Sequence, residues 1–552
     1  MQNILILGAG LMQKPAILEA KKIAHTVVVD ANKNAVCVPL ADEFFQIDLK
    51  NKEEIFSLAQ KLNSHGNVLK GIFTAGTDFS TSVSYSAQKL NLPCHSFLST
   101  LNATDKSLMR ECFKKNNVSS PSFAHFCQKD YKIEEINDFA QKIGFPLVVK
   151  PCDNMGARGC RIVRAQNELF SAVNDGFNFS RNKTIIIEEY MDGPEFSIDA
   201  LVYNGTLTVT GFADRHIFYP PYFIEMGHTL PSNIEENKKN ELISVFAQGV
   251  KALGLSCGAA KADIKYTKNG PMIGEIAARL SGGYMSGWTF PYSSDFSLTK
   301  QALLIACGLE PEELLQNRKP LPSEFPKNSK NKEVPFSLFE IPSKKVSAER
   351  AWISIPGVVQ NILGLENAKI SGVKDVLPRE IKIGEQIDFP RNNVSKCGNV
   401  IAVSSDYKKT AQIAEKSVSK IFIRLKPNNQ KTNDFLSSVE NSAEKSFPPD
   451  AYSFYSQIKD LKIPGTILEN TPAKNFIPEM LKKYFSSSEK SWDYLTLQES
   501  LDFFDENFKI HPELSCEIFF KALFRGGRQA IVYVSDSVSE NLKNGTKNEN
   551  QK

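Results

Sequence analysis

Residues 261–283, KADIKYTKNGPMIGEIAARLSGG, concentrate residue types that could do chemistry together. Asn269-Gly270 is a tight hairpin signal, and the runs 262–266 and 272–277 on either side of it read as strands. Each strand then carries one acid, Asp263 and Glu275. Two carboxylates on neighbouring strands can share one or two Mg2+ ions, which take hard oxygen ligands and sit with substrate phosphates. Arg279 follows, and Ser281-Gly282-Gly283 offers backbone N–H groups to an anion. Taken alone, the segment reads equally well as a charged surface hairpin. Its meaning depends on whether the rest of the chain supplies a nucleotide site.

A glycine loop earlier in the chain supplies one. In FPLVVKPCDNMGARGCRIV, residues 145–163, a strand ends at Lys150, and a loop with Gly156 and Gly159 around Arg158 leads into a second strand. Flexible amides beside two cations suit triphosphate oxygens. This is no Walker loop, because Gly-Lys-Ser/Thr is missing and a strand follows where a helix should. Upstream, Asp105-Lys106 opens a helix over 106–116, with Thr104 as its expected N-cap. Downstream, Ile187-Glu188-Glu189-Tyr190-Met191 ends a strand before Gly193-Pro194-Glu195. An edge strand followed by an extended linker can offer backbone N–H and C=O to an adenine ring, and Glu195 can hold ribose hydroxyls. Gly8-Ala9-Gly10 with Asp30 imitates a dinucleotide fingerprint. Gln13 stands at its third glycine, however, and Pro15 lies in the first helical turn, so NAD(P) is not the expected ligand.

The elements that must position these residues follow from periodicity. Residues 1–103 alternate strand and helix signals, which implies a doubly wound parallel sheet. Residues 104–310 mix helix and strand signals. A Pro-, Lys- and Asn-rich linker covers 311–335, and a β-rich domain covers 336–428. A second linker, 429–450, leads to a mixed Phe-rich module at 451–535, of no assigned function, and a tail at 536–552 with the composition of disorder. The net charge of +4 gives no argument for nucleic acid or a membrane surface. No apolar run reaches the roughly 20 residues of a membrane helix, and the N-terminus lacks the look of a signal peptide. The ten cysteines are scattered without a Cys-x-x-Cys pair, which points to reduced thiols in a cytoplasmic protein.

Two lysines, a glycine loop, a hinge and two acids in this order resemble the ATP-grasp superfamily, in the branch of carbamoyl-phosphate synthase large chain, biotin carboxylase and the L-amino-acid ligases. The resemblance spans roughly 1–428. It implies an α/β (α+β grasp) fold with a pre-grasp domain at 1–103, a two-lobed grasp domain at 104–310 with a mobile small lobe at about 118–190, and a β-rich C-terminal domain at 336–428. It also implies that Lys106 and Lys150 contact ATP phosphates. Asn154, Gly156, Ala157, Arg158 and Gly159 would lie in the loop that closes on the phosphates. Glu188, Glu189, Tyr190 and Met191 would form the adenine hinge, Glu195 the ribose contact, and Asp263 and Glu275 the Mg2+ site (Mn2+ as a substitute). Arg279 would hold an acyl phosphate beside Ser281, Gly282 and Gly283.

The implied reaction is ADP-forming ligation of a small carboxylate to an amine through an acyl phosphate, with Lys150 and Arg279 as its catalytic cations. Arg215 and His228 lie between hinge and hairpin and are expected on the substrate side. One departure stands out. Many relatives read Glu-x-Asn-x-Arg where this chain has Glu275, Ala277 and Arg279, and Ala277 cannot ligate a metal. Two alternatives remain open, a bicarbonate-activating or carbamoyl-phosphate-synthase-like enzyme and a non-catalytic ATP-binding regulator. A homodimer is compatible with either, and no nucleic-acid or membrane partner is expected.

Overall fold

The computed structural model describes residues 1–325, 331–334, 336–437 and 447–549, with side chains through 544. The chain divides into two compact units. The first comprises Met1–Ile217, Gly227–Ala348 and Val403–Tyr407.

That unit opens with β1 (Gln2–Leu7), α1 (Lys14–Ala20), β2 (His25–Asp30), β3 (Glu43–Gln46), α2 (Lys52–Leu62), β4 (Val68–Phe73) and α3 (Ser80–Lys89). The strands form a parallel sheet in the order β3-β2-β1-β4. Both faces are buried: Ile4, Ile6 and Val28 pack into one layer, Leu5, Leu7, Val27 and Val29 into the other. This is why these strands are near-continuous apolar runs. The Gly8–Gly10 turn is committed to structure. Asp30 Oδ2 accepts the Ala9 amide at 2.7 Å, and buried Gln13 accepts the Ala75 amide at 2.9 Å, which ties the first helix to the end of β4.

Next come α4 (Phe97–Thr104) and α5 (Lys106–Lys115). Thr104 ends α4 rather than capping α5. The cap is Asp105, whose Oδ1 accepts the Ser107 and Leu108 amides, because its extended backbone lets the short carboxylate reach back. The small lobe is β5 (Phe123–Cys127), α6 (Ile133–Ile143), β6 (Leu147–Pro151), β7 (Arg161–Val163), α7 (Gln166–Phe179) and β8 (Thr184–Glu189), an antiparallel sheet in the order β5-β8-β6-β7. Both helices pack on it through Ile136, Ala140, Leu169, Val173 and Phe177.

The large lobe contains β9 (Glu195–Tyr203), β10 (Thr206–Phe218), β11 (Ile224–Leu230), α8 (Glu236–Ala252), β12 (Gly258–Thr267) and β13 (Gly270–Ala277). Strands β13-β12-β9-β10 are consecutive antiparallel neighbours. The proposed linker at 311–335 is partly ordered structure. Glu312–Asn317 is helical, and Lys319–Pro320 pairs with Ser337–Glu340, which joins β10 in parallel. Its residues 326–330 and 335 lie outside the described residues.

In the second unit the β-rich region and the Phe-rich module share one core. Ile355, Val359, Val400 and Ile423 pack with Tyr452, Leu501, Phe504, Phe520 and Phe524. Aromatic side chains bury enough area to fuse the two regions. The tail at 536–549 is helical, continuing Cys516–Glu549 past a kink at Gly527 (φ +64°), so composition misjudged it. Residues 550–552 lie outside the described residues, as do 438–446 of the second linker, whose Gln430–Ser437 is helical. Arg525 and Arg528 serve the fold. Arg525 donates to the Phe435 and Pro448 carbonyls, and Arg528 to those of Ser419 and Ile421 and to Asp493.

Candidate functional site

The large-lobe sheet has two chemically distinct faces. On β9, Phe196, Ile198, Ala200 and Val202 enter the core beneath α5 and α8. The alternate residues Glu195, Ser197 and Asp199 therefore share the opposite face. The same alternation on β12 turns Ala262 and Ile264 into the core and sets Lys261, Asp263 and Lys265 on the polar side. The register aligns these residues into rows running across the strands. One row is Ala277, Lys261, Asp199 and Gly211; the next is Glu275, Asp263, Ser197 and Ala213; the third is Lys265, Glu195 and Arg215.

Ion pairs knit the rows together. Arg215 Nη1 lies 2.5 Å from Glu195 Oε1 and 2.7 Å from Asp263 Oδ1, while Lys261 Nζ is 2.5 Å from Asp263 Oδ2. Lys265 reaches Glu195 at 3.4 Å. Asp263 and Glu275, expected on adjacent strands, are register partners.

Two lysines converge on this sheet. Lys106, in the first turn of α5, lies 3.3 Å from Glu275 Oε1 and donates to the Asn154 carbonyl at 3.0 Å. Burial would raise the Glu275 pKa, but Lys106, with Lys261, Lys150 and Arg279, pulls it down to about 2. It is thus a carboxylate at any working pH. Burial opposes the charge on Lys106, yet Glu275 and Asp78 hold its pKa above the usual lysine range.

Lys150 Nζ sits 2.5 Å from Glu188 Oε2, whose other oxygen accepts Arg110 Nε at 2.7 Å. Burial disfavours this carboxylate's charge, but Arg110 and Lys150 outweigh it and hold Glu188 below the ordinary range. Arg110 Nη2 also donates to the Gly274 carbonyl at 2.6 Å. The β12–β13 register slips just there, leaving Gly274 without a partner on β12, so its carbonyl is available to Arg110. One arginine thus ties the lysine strand of the small lobe to the Glu275 strand of the large lobe.

The glycine loop carries left-handed backbone at Gly156, Ala157 and Gly159. Turn backbone of this kind can present N–H groups to an anion. Asn154 anchors it through Nδ2 to the Phe179 carbonyl at 2.7 Å. Beside the hinge, Glu189, Tyr190, Met191 and Asp192 face Thr267, Lys268, Asn269 and Met272 across a cleft of about 370 Å³. Pro146, Tyr190, Met191 and Met272 give it an apolar part against which a flat ring can lie. At the other end, Arg279 Nε donates to Asp78 Oδ1 at 2.7 Å, and this pairing overcomes burial to raise the arginine's pKa further. Ser281 is clamped by Asp199, which accepts its amide at 3.0 Å and its hydroxyl. Burial lifts Asp199 to about 6 against these donors.

Lys106, Lys150, Glu188, Glu195, Asp263, Glu275 and Arg279 are thus linked by contacts or register around one face, with the glycine loop beside Lys106. Two expected residues sit differently. The Glu188 side chain points to Lys150 and Arg110, and its backbone pairs with both β5 and β6 because β8 is a central strand and not the expected edge; Arg215 is engaged with Glu195 and Asp263. His228 is buried in β11. Sequence reasoning passed over Arg110, Lys261, Lys265, Asp78, Asp199 and Met272. Lys106 and Arg110 are spaced i, i+4 on one helix, and Lys261, Asp263 and Lys265 alternate on one strand; both patterns were readable. Asp78 and Asp199 belong to the site only through tertiary contact.

The comparisons agree with this geometry. The ATP-grasp domain family matches residues 143–287, and the L-amino acid ligase C-terminal domain 2 family matches residues 351–426. These matches support the ATP-grasp superfamily for residues 143–287. Human carnosine synthase 1 is 24 % identical over 333 residues, covering 56 % of this chain and 40 % of that protein. A formate-dependent phosphoribosylglycinamide formyltransferase of Francisella tularensis is 30 % identical over 194 residues, covering 34 % and 48 %. The chain therefore spans about half or less of the length of these curated relatives. Among solved structures, the L-amino acid ligase of Bacillus licheniformis aligns with a TM-score of 0.62 at 19 % identity, covering 77 % of this chain and 99 % of that one. The phosphoribosylglycinamide synthetase of Anaerococcus prevotii aligns at 0.57 and 22 %, covering 77 % and all of that chain. Among the described residues, no helix is long and apolar enough to cross a membrane.

Proposed function

We propose that this chain is an ATP-dependent carboxylate–amine ligase that forms an amide and releases ADP and phosphate. The observation that carries the proposal is the convergence of Lys106, Lys150 and Arg279 with Asp263 and Glu275 at one sheet face beside a ring-sized cleft. The cleft at 189–192 takes the adenine, and Glu195 is released from Arg215 to meet the ribose. Lys106, Lys150 and the 153–160 loop hold the phosphates. Phosphoryl transfer is mostly positioning and charge neutralisation, so no nucleophilic side chain is needed.

Mg2+ fits this donor set. Asp263 Oδ1 is buried and, though 2.7 Å from Arg215, accepts no well-directed hydrogen bond, so it keeps a lone pair for a cation. Asp263 and Glu275 would hold the ion, which supplies charge neutralisation at the transferring phosphoryl group.

In the reaction, a substrate carboxylate oxygen attacks the γ-phosphorus and ADP leaves. An amine nitrogen then attacks the acyl carbon, phosphate leaves, and the nitrogen loses its proton. Arg279 presents a planar fork that matches a carboxylate or acyl phosphate better than an ammonium would. Ser281, Gly282 and Gly283 lie beside it, held by Asp199.

The match of residues 351–426 to an L-amino acid ligase domain favours an amide product over carboxylation. ADP release measured over amino acids, small dicarboxylates and bicarbonate tests the proposal. Release that needs both an acid and an amine supports it; release with bicarbonate and no amine refutes it in favour of the carboxylase. ATP binding with no ADP formed from any pair would instead mark a regulator.

A further inference from the structure

Sites that transfer a phosphoryl group between oxygens commonly place it between two cations, often two metal ions about 3.5–4 Å apart. Two ions need more oxygen donors than one. Of the carboxylates on this face, Glu195 is paired with Arg215, Asp199 accepts from Ser281, and Asp263 and Glu275 are register partners; among the described residues no group of three His, Cys, Asp or Glu side chains could hold a metal ion. The next position on the Glu275 face of β13 is Ala277, whose methyl donates nothing. In register with Ala277 on β12 stands Lys261. Its ammonium lies 2.5 Å from Asp263 Oδ2, and its side chain is only 11 % exposed. A positive charge is therefore fixed beside the gap that Ala277 leaves.

We propose that Lys261 supplies the second cation of this site, and that the chain works with a single divalent ion held by Asp263 and Glu275. The inference rests on the phosphoryl-transfer reading above. An ammonium has three N–H donors and a compact charge, so a lysine bonded once to Asp263 keeps two donors for phosphate oxygens. Unlike a second ion, it cannot dissociate. Turnover should therefore saturate once the nucleotide is metal-loaded, with no further activation by free Mg2+.

The test counts ions without needing turnover. Mn2+ is titrated into the full chain with a non-hydrolysable ATP analogue, adenylyl imidodiphosphate, and free Mn2+ is followed by electron paramagnetic resonance. One Mn2+ per nucleotide-loaded chain is expected. Combining Lys261→Ala with Ala277→Asn removes the ammonium and adds an oxygen donor, and raises the count to two. Lys261→Met alone keeps one ion and an unchanged circular dichroism spectrum while losing about 10²- to 10³-fold in ADP formation, the usual loss for one electrostatic donor. Two ions on the unaltered chain overturn the proposal, as does a Lys261→Met variant with full turnover. An unaltered chain that binds one Mn2+ with nucleotide yet forms no ADP from any acid–amine pair refutes the ligase reading and leaves the single-ion site intact.

Discussion

Glu188→Gln tests whether a buried charge bridge builds the nucleotide site. The Glu188 carboxylate is shared by Arg110 at 2.7 Å and Lys150 at 2.5 Å, and the Arg110 and Glu188 side chains are only 1 % and 3 % exposed. Removing one partner of a buried ion pair leaves an uncompensated charge and costs about 3–5 kcal/mol. At about 2 °C per kcal/mol for a large domain, the first calorimetric transition should fall by roughly 6–10 °C. The pH dependence follows from the sign of the shift. Glu188 titrates lower in the folded chain than in the unfolded one, so its stabilisation is fully present above the ordinary glutamate pKa near 4.3 and is lost as pH falls through the folded value. The gap between natural and variant midpoints should therefore close below about pH 4. Replacing both Arg110 and Glu188 by apolar residues of similar volume should recover part of the midpoint, because Arg110 is then no longer stranded while Lys150 still is. ATP affinity should stay weak in that double variant, since Lys150 has lost its anchor. A Glu188→Gln transition within about 2 °C of the natural one would refute the buried-bridge account.

Three other outcomes are expected. Lys150→Ala should weaken ATP binding by about 1.5–3 kcal/mol, the usual worth of a charged hydrogen bond, and unchanged affinity by calorimetric titration would remove it from the site. Glu275→Gln should abolish ADP production while circular dichroism shows an intact fold; retained turnover would exclude Glu275 from the metal site. Asp199 titrates near 6 when folded, above its unfolded value, so it subtracts stability as pH rises from about 4 to about 6. Asp199→Asn should flatten the thermal midpoint across that window, and an unchanged slope would contradict the buried-carboxylate picture.

Sequence alone determined which residue types stand on which local elements. Local signals, such as Asn269-Gly270 between alternating strands and Gly156 and Gly159 after a lysine strand, depend only on backbone preferences and on side-chain alternation. They put Asp263 and Glu275 on paired strands, and the register makes the two partners. Composition misjudged the tail at 536–549, because packing rather than polarity decides whether a helix continues. It also treated 451–535 as a separate module, when shared aromatic burial merges it with the β-rich region.

Only tertiary structure decided which charges meet. Arg110 reaches Glu188 across 78 residues, Asp78 reaches Arg279 across 201, and Lys261 stands opposite Ala277 through strand register. Ion pairs of this kind depend on distances of a few ångströms between remote segments, which no periodicity encodes. The sequence therefore named the hairpin's two acids and its missing ligand, and the fold brought Lys261 to the gap.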